Sequence, residues 1–278
     1  MATTGDEGRT AKGANVSRLE RILESKRAEI AALKNVDEEP ATVRRGTLDV
    51  TRFLRRGAGQ PLRLLCEIKR KSPSAGVLTH ATDVGPRAEA YARGGAALIS
   101  VLCDAPFFGG SWDDLTRVRT CVDRLSRDIP ILAKEFVLDE VQLDRARAKG
   151  ADAVLLIARI VSPSRLRELH DAARVRDLQP VVEVTDETEL AAALDCGARV
   201  IGVNSRDLDT LVIDTARAVR VLAAIPDDHV RIHLSGIKSE EDVRTIARTP
   251  ADAALVGEAL MREADPEPLL RRLVVAGA

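Results

Sequence analysis

The sequence predicts an α/β fold, a (β/α)8 barrel, and three observations lead to that prediction. Eight short apolar runs alternate with amphipathic helical stretches over about 200 residues. Several runs are continuous instead of alternating, as in parallel strands covered on both faces. No GxGxxG motif follows the first run, which disfavours the doubly wound dinucleotide-binding sheet that the alternation would also allow. The predicted strands are 64–68, 96–102, 129–133, 152–157, 180–184, 199–203, 230–234 and 253–257.

The segment before the first strand is predicted to contain one amphipathic helix, residues 17–35. Its apolar side chains recur at helical spacing, at Leu19, Ile22, Leu23, Ile30 and Leu33. Residues 36–62 contain prolines and glycines that interrupt any regular pattern. Residues 1–16 lack the apolar core of a signal peptide and are expected to form a disordered tail. We therefore expect a single domain over 17–278, with 17–62 as an N-terminal extension of the barrel.

The helices between the strands have typical residues at both ends. Ser111 is followed by Asp114, and Ser239 by Asp242, with the spacing of a capping box. Glycines stand where helices should end, just before strands: Gly94, Gly95, Gly150 and Gly197.

Composition narrows the class of protein. The chain has 278 residues, 45% of them apolar, which is enough for a large core. The net charge of −1 provides no basic field for nucleic acid, and no apolar run approaches the roughly 20 residues of a membrane helix. The four cysteines show neither CxxC spacing nor a metal-ligand cluster. We expect a cytoplasmic protein without metal, cofactor, nucleic-acid or membrane partner, and a monomer, because no exposed apolar stripe stands out.

Polar side chains gather at the carboxyl ends of four predicted strands, where chemistry occurs in this fold. They are Glu67, Lys69, Arg70 and Ser72 after the first, Lys134 and Glu135 after the third, Glu183 in the fifth, and Asn204, Ser205, Arg206 and Asp207 after the sixth. Each alone has an ordinary explanation as a solvated lysine, an ion-pair partner or a turn former. Two lysines, two glutamates, an asparagine and an arginine converging on one rim predict a catalytic site.

The seventh and eighth strand ends have the features of a phosphate site. Ser235-Gly236 and Gly257-Glu258 offer backbone N–H groups with little side-chain obstruction, and Ser72 adds a hydroxyl from the first loop. In many barrels these two loops bind a phosphate. Taken singly, the glycines are ordinary turn residues. Together with the polar rim they predict a small phosphorylated substrate.

Seven segments occur in an order known from one enzyme family: EIKRKSPSAG (67–76), FFGGSWDDL (107–115), LAKEFVLDEVQ (132–142), GADAVLLI (150–157), VVEVTDETEL (181–190), IGVNSRDL (201–208) and LVGEALM (255–261). They resemble the indole-3-glycerol-phosphate synthase family of tryptophan biosynthesis, from about residue 17 to residue 275. The helix at 17–35 is similar to the extra N-terminal helix that packs over the barrel mouth in that family.

The resemblance implies a decarboxylating lyase. The reaction closes a pyrrole ring on 1-(2-carboxyphenylamino)-1-deoxyribulose 5-phosphate, releases CO₂ and water, and gives indole-3-glycerol phosphate. Attack of an aromatic carbon on a ketone requires a proton for the developing alkoxide, and loss of the hydroxyl requires a second acid and a base. No step requires a cofactor, because rearomatisation drives the decarboxylation.

The resemblance also implies roles for individual residues. Lys134 would be the general acid on the ribulose carbonyl, Glu183 a base or acid in the dehydration, and Lys69 a second acid. Glu67 would hold Lys69, and Asn204 would orient the substrate. Other matched positions would bind the substrate's polar groups and phosphate, or form the apolar slot for its ring: Arg70, Ser72, Arg206, Ser235, Gly236, Gly257 and Glu258 for the former, and Phe108, Phe136, Leu155 and Leu208 for the latter.

One position departs from the family pattern. The family usually reads Ser-Glu-Ser-Gly-Ile at the seventh strand, whereas this chain reads His-Leu-Ser-Gly-Ile at 233–237. Leu234 therefore replaces a carboxylate, and a strand residue such as His233 is expected to face away from the mouth. The departure suggests an alternative, a paralogue acting on a related anthranilate–sugar phosphate in specialised metabolism. A third possibility, a non-catalytic binding protein for phosphorylated metabolites, conflicts with the intact polar rim.

Overall fold

A closed barrel of eight parallel strands forms the centre of the structure, as the sequence predicts. The computed structural model describes residues 17–34, 48–81, 83–125, 127–207 and 209–278. The eight barrel strands follow one another in chain order around the ring. The first, at 63–68, pairs with the second barrel strand, at 98–102, and with the last, at 253–256, which closes the barrel. The expected tail at 1–16 and the position of Leu208 lie outside the described residues.

The strands are β1 (Arg63–Ile68), β2 (Lys71–Ser72), β3 (Gly76–Val77), β4 (Leu98–Leu102), β5 (Ile131–Lys134), β6 (Ala153–Ile157), β7 (Gln179–Val184), β8 (Val200–Asn204), β9 (Val230–Leu234) and β10 (Ala253–Val256). β2 and β3 form a small antiparallel hairpin after β1, and the other eight form the barrel. Each barrel strand overlaps one of the eight predicted runs.

The helices are α1 (Arg18–Leu33), α2 (Val50–Leu54), α3 (Gly85–Gly94), α4 (Ala105–Phe108), α5 (Trp112–Arg124), α6 (Glu140–Ala148), α7 (Pro163–Val175), α8 (Glu187–Asp195), α9 (Thr215–Ala224), α10 (Glu240–Ala247), α11 (Glu258–Arg262) and α12 (Glu267–Ala276). Among the described helices, none combines the length and the hydropathy needed to cross a membrane.

The alternation of side chains along the strands explains why the predicted runs are apolar throughout. In β7, Val181 packs in the cluster that fills the barrel interior, and Val182 and Val184 pack in the cluster between barrel and helices. Both sets are buried, so neither face of the strand is polar. The polar rim continues the inward set, because Glu67, Lys134, Glu183 and Asn204 stand two residues beyond Leu65, Leu132, Val181 and Gly202.

The helix ends largely agree with the sequence. Ser239 and Asp242 form a complete capping box at the start of α10. Ser111 accepts the N–H of Asp113 at the start of α5, but the predicted reciprocal bond from Asp114 is wrong, because the Asp114 carboxylate binds an arginine instead. Positive φ angles at the ends of helices confirm the turn role of Gly95, Gly150 and Gly197.

Helix α1 lies over the carboxyl ends of the strands. Leu19 and Ile22 pack in the same cluster as the barrel interior, and together with Arg18 they line the cavity at its mouth. The buried face also contains Ile30 and Leu33, as the helical spacing predicts. Helix α1 therefore forms one wall of the cavity in which the rim residues lie.

Candidate active site

One cavity at the carboxyl ends of the strands brings together most of the residues singled out from the sequence. Its wall includes Glu67, Lys69, Ser72, Phe108, Lys134, Phe136, Leu155, Glu183, Asn204, Arg206, Ser235, Gly236, Gly257 and Glu258. All eight barrel strands, through their carboxyl ends or the loops that follow, and helix α1 contribute to it. Within the described ranges, no group of three or more His, Cys, Asp or Glu side chains has an arrangement that could hold a metal ion.

Two lysine–glutamate pairs form the polar part of the cavity. Lys69 Nζ lies 2.5 Å from Glu67 Oε1, and Lys134 Nζ lies 3.5 Å from Glu183 Oε2. Asn204 donates from Nδ2 to Glu183 Oε1 at 2.9 Å. The carboxylate side chains are 2% and 4% exposed, whereas the two lysines are 17% and 20% exposed. The ammonium groups are therefore the part of each pair that a bound molecule reaches.

Glu67 is held ionised by its surroundings. Burial opposes its ionisation, but the charges of Lys69 and Lys134 outweigh burial and lower the pKa of this carboxyl. A Cβ atom at residue 257 would lie 2.6 Å from Glu67 Oε1, so a side chain there would displace the carboxylate and glycine leaves room for it. Glu67 is therefore fitted to hold a cation and poorly fitted to donate a proton near neutral pH.

The orientation of Asn204 is set from both ends of its amide. Its Oδ1 accepts the backbone N–H of Arg206 at 3.0 Å while its Nδ2 donates to Glu183. The guanidinium of Arg206 donates to the carbonyl of Leu211 at 3.3 Å and lines the cavity. The hydrogen bond from the Asn204 amide thus holds the carboxylate of Glu183 beside Lys134.

An apolar slot adjoins the charged pairs. The rings of Phe108 and Phe136 lie with their centroids 6.0 Å apart at an interplanar angle of 37°. Leu155 and further aliphatic side chains complete the slot, namely Leu19, Ile22, Ile157, Leu234 and Leu255. Such a surface accepts a flat aromatic ring next to the lysines.

The turn that presents Phe108 follows directly from the local sequence. Asp104 Oδ1 accepts the N–H groups of Phe107 at 2.7 Å and Phe108 at 3.1 Å, which starts α4. At Gly110 a Cβ atom would lie 2.1 Å from the carbonyl oxygen of Leu102, so the chain can return this close to β4 only with glycine. The FFGG segment is therefore a backbone requirement of the slot.

The loop after β9 has a strained conformation at the predicted phosphate site. Ser235 has a φ of 71°, which is uncommon for a residue other than glycine, and Gly236 follows with a φ of 94°. The hydroxyl of Ser205 donates to the carbonyls of Leu234 at 3.1 Å and Ser235 at 3.3 Å, which supports this turn.

The loop after β10 lines the same cavity as the loop after β9. The carboxylate of Glu258 accepts bonds from Arg262, which lower its pKa against the opposing effect of burial. Its charge is thus compensated at the N-terminus of α11. Lys238 also lines this part of the cavity, which the sequence did not indicate, and the Ser72 hydroxyl accepts the N–H of Ala75.

The structure does not bring Arg70 to the cavity. Its Nη1 lies 2.5 Å from Asp114 Oδ2 and donates to the carbonyl of Gly109 at 2.9 Å. The side chain of Asp114 is 1% exposed and needs a cation. Arg70 therefore ties the loop after β1 to the loop after β4, and it is not among the residues that line the cavity. Leu208, expected in the apolar slot, lies outside the described residues.

Leu234 occupies the inward position where the family usually has a carboxylate. It pairs with Asn204 in the strand register. A Cβ atom at residue 202 would lie 2.7 Å from Leu234 Cδ1, so the leucine side chain packs directly over Gly202. Leu234 is 3% exposed and packs in the interior cluster. The alternation along β9 turns His233 outward, as expected, and burial lowers its pKa to about 4.

A group of four charged residues, three of them buried and one partly exposed, lies behind the cavity wall and is here named the Lys26 cluster. Lys26 Nζ lies 2.6 Å from Glu29 Oε2, 2.9 Å from Glu135 Oε1 and 3.2 Å from Asp104 Oδ2. Burial alone lowers the pKa of Lys26, but the three carboxylates outweigh it and raise the pKa above its ordinary value. Burial raises the pKa of Glu135 to about 7, against the opposing effect of Lys26.

The sequence contained a signal for this cluster. Lys26 falls between Ile22 and Ile30 at four-residue spacing, on the apolar face of the predicted helix. A lysine on a face otherwise expected to be buried indicates an acidic partner in the core. Glu29 lies three residues later on the same helix, whereas Glu135 and Asp104 were not predictable as partners, because they come from distant strand ends.

Comparisons with known proteins identify the family and the fold. The family described as "Indole-3-glycerol phosphate synthase" matches residues 19–273. Indole-3-glycerol phosphate synthase 1 of Streptomyces coelicolor is 42% identical over 267 residues, covering 94% of this chain and 96% of the relative. The synthase of Mycobacterium ulcerans is 41% identical over 265 residues, covering 93% and 94%. The structure of 3-hexulose-6-phosphate synthase from Salmonella typhimurium shares the fold, with a TM-score of 0.59 at 16% identity over 77% of this chain and 98% of that chain.

Replacing Glu135 by glutamine should change how stability depends on pH. The folded-state pKa of about 7 lies above the ordinary 4.5, so the folded protein binds this proton more tightly than the unfolded chain does. The free energy of unfolding of the wild type therefore falls as pH rises from 4.5 to about 7, by up to about 3 kcal/mol. Glu135→Gln should lack this fall and gain stability relative to wild type above pH 7.

Urea unfolding at a series of pH values measures this difference. Glu263→Gln, at an exposed position, serves as the control and should follow the wild-type curve. Parallel curves for wild type and Glu135→Gln would show that Glu135 titrates normally.

Proposed function

The chain belongs to the indole-3-glycerol phosphate synthase family, and on that premise we propose how its rim residues divide the reaction among them. The activity is that of a decarboxylating lyase, which converts 1-(2-carboxyphenylamino)-1-deoxyribulose 5-phosphate to indole-3-glycerol phosphate. The observation that carries the assignment is the presence of two lysine–glutamate pairs, Lys69–Glu67 and Lys134–Glu183, in the wall of one cavity beside an aromatic slot.

The substrate would lie with its aromatic ring in the slot and its phosphate at the two glycine loops. Phe108, Phe136 and Leu155 provide flat apolar surface for the ring. Backbone N–H groups of the loops at Ser235-Gly236 and Gly257-Glu258, with the hydroxyl of Ser72, would bind the phosphate. Arg206 would contact the substrate's remaining polar groups. This placement brings the ribulose chain past the two lysines.

Ring closure is assigned to Lys134. The aromatic carbon that bears the carboxylate attacks the ribulose ketone, and a carbon–carbon bond forms as the carbonyl oxygen becomes an alkoxide. Lys134 donates a proton to that oxygen. The carboxylate then leaves as CO₂, and the electrons of the broken bond restore the aromatic ring. Glu183, 3.5 Å from Lys134, keeps the lysine directed into the cavity.

Dehydration is assigned to Lys69 and Glu183. Lys69 donates a proton to the hydroxyl, which leaves as water, and Glu183 accepts the proton lost from the adjacent carbon as the indole double bond forms. Asn204 fixes Glu183 for this transfer, and Glu67 fixes Lys69. Glu183 can return its proton to Lys134 within their pair. One proton is taken from solvent per turnover, because a carboxylate leaves as neutral CO₂.

The named relatives favour the standard substrate over the two alternatives considered. They share the proposed activity by name at 41–42% identity over nearly the whole chain. The two lysine–glutamate pairs and Asn204 all line the cavity, which argues against a protein that only binds phosphorylated metabolites. The proposal includes one domain over 17–278, a monomer in the cytoplasm, and catalysis without cofactor, metal, nucleic-acid or membrane partner.

Lys134→Met should reduce kcat by at least about 100-fold, because it removes the proposed acid while keeping the length of the side chain. The measurement is the steady-state rate of indole-3-glycerol phosphate formation from the standard substrate. Lys71→Met is the matched control, since Lys71 donates to the carbonyl of Pro106 and is not part of the cavity wall. A Lys134→Met enzyme with more than a tenth of the wild-type kcat would refute the assignment.

Leu234→Glu should raise the KM for the standard substrate several-fold. Glu67 and Glu183 already have one lysine each, so a third inward carboxylate would repel the substrate's own carboxylate and phosphate. Leu234→Gln has nearly the same shape without the charge and should show a smaller rise. An increase of kcat/KM in Leu234→Glu would instead favour the paralogue alternative, in which leucine adapts the pocket to another substrate.

A further inference from the structure

The Lys26 cluster contacts the backbone on both sides of the catalytic pocket, although no step of the proposed reaction uses its four members. The side chains of Lys26, Asp104 and Glu135 have no exposed surface, and that of Glu29 is 29% exposed. One ammonium group of α1 is therefore shared by carboxylates from the ends of β4 and β5 and from α1 itself.

The contact with Asp104 leads to the aromatic slot. While Oδ2 of Asp104 faces Lys26, its Oδ1 accepts the N–H groups of Phe107 and Phe108. A single carboxylate thus links the ammonium to the turn that presents the Phe108 ring. A shift of Lys26 would move that carboxylate and loosen the turn.

The contact with Glu135 leads to the proposed acid. Glu135 stands between Lys134 and Phe136, and its Oε1 accepts the N–H of Phe136 at 2.7 Å while it also faces Lys26. Its neighbours on either side are a reacting group and a wall of the slot. The backbone at this strand end is therefore tied to α1 through one ion pair.

The third carboxylate fixes the helix to α5. Glu29 Oε1 accepts the indole N–H of Trp112 at 3.2 Å, and its Oε2 faces Lys26. Losing the cation would leave two fully buried carboxylates without the ammonium that they share, which the cluster tolerates only by moving toward water. Displacements of about 1 Å at reacting groups are enough to reduce rates strongly.

We propose that Lys26 is a positioning residue for the reaction: its buried ammonium sets the placement of Lys134, Phe108 and Phe136 together with that of α1. This inference rests on the proposed function, since it gives Lys134 the role of an acid. It assigns to α1 more than coverage of the mouth, because the helix would supply the charge around which the pocket walls are arranged.

The test compares Lys26→Met with Lys34→Met. Lys34, just after α1, forms a partly exposed ion pair with Asp139 at 2.6 Å, so its loss removes a bond between this segment and the barrel away from the pocket. Both variants are assayed well below their melting temperatures, with the folded fraction measured by circular dichroism. Lys26→Met should lower kcat at least 10-fold per folded molecule and raise KM, whereas Lys34→Met should stay within twofold of wild type.

A second variant covers the case in which Lys26→Met does not fold. Glu135→Ala removes the link to Lys134 but leaves Lys26 with Asp104 and Glu29, so no carboxylate is stranded. It should also lower kcat at least 10-fold. A lower melting temperature with wild-type kcat and KM in the folded variants would show that the cluster only stabilises the fold, and would overturn the proposal.

A crystallographic comparison separates this proposal from the proposed function. If the wild type fails to turn over the standard substrate, the proposed function is wrong. The crystal structures of wild type and Glu135→Ala then decide the positioning role alone. Displacement of Lys134 Nζ or the Phe108 ring by more than about 1 Å is expected. Unchanged positions would overturn the proposal.

Discussion

Each carboxylate buried near the barrel mouth must be compensated there, and this requirement organises the site. An ionised carboxylate without a cation or hydrogen-bond donors is costly in the interior. Glu67 has Lys69, Glu183 has Lys134 and Asn204, and Asp114, further out, has Arg70. The lysines are more exposed than the glutamates they pair with. The cavity therefore presents positive charge, which suits a substrate that carries both a carboxylate and a phosphate.

Much of this arrangement could be predicted from local sequence pattern, because in a barrel the position along a strand determines both height and direction. A polar residue two places beyond an inward apolar one, at a carboxyl end, has to face the cavity. That rule correctly placed Glu183 and Asn204 in the cavity wall. Arg70 stands two places beyond the outward-facing Ile68, and it turns away from the cavity to Asp114, 44 residues later. Which cation pairs with a buried carboxylate depends on long-range packing, which local sequence does not show. For the same reason the sequence predicted that Asp114 caps α5, whereas its carboxylate binds Arg70.

Lys26 shows a second limit of pattern-based prediction. Helical spacing identified the buried face of α1 correctly through Ile22 and Ile30, but a rule that treats lysine as solvent-facing excludes the residue between them. Two of the three compensating carboxylates come from strand ends about 80 and 110 residues away. Only the closed barrel brings Asp104 and Glu135 to one point beneath the helix. The sequence shows that such a lysine needs a partner, and the fold determines which one.

Leu234 follows from the same requirement of charge compensation. A carboxylate at this inward position would lie next to Asn204, which already donates to Glu183. A third inward carboxylate would need a further cation or would bind a proton. Leucine avoids that cost, covers Gly202, and extends the apolar interior one layer higher on this side of the barrel. The two compensated pairs remain intact, so the change alters the shape and polarity of the floor while leaving the reacting groups in place. The charged groups that the reaction needs are those of the Lys69–Glu67 and Lys134–Glu183 pairs, and neither pair depends on residue 234. The site can therefore have leucine there without a change in these two pairs.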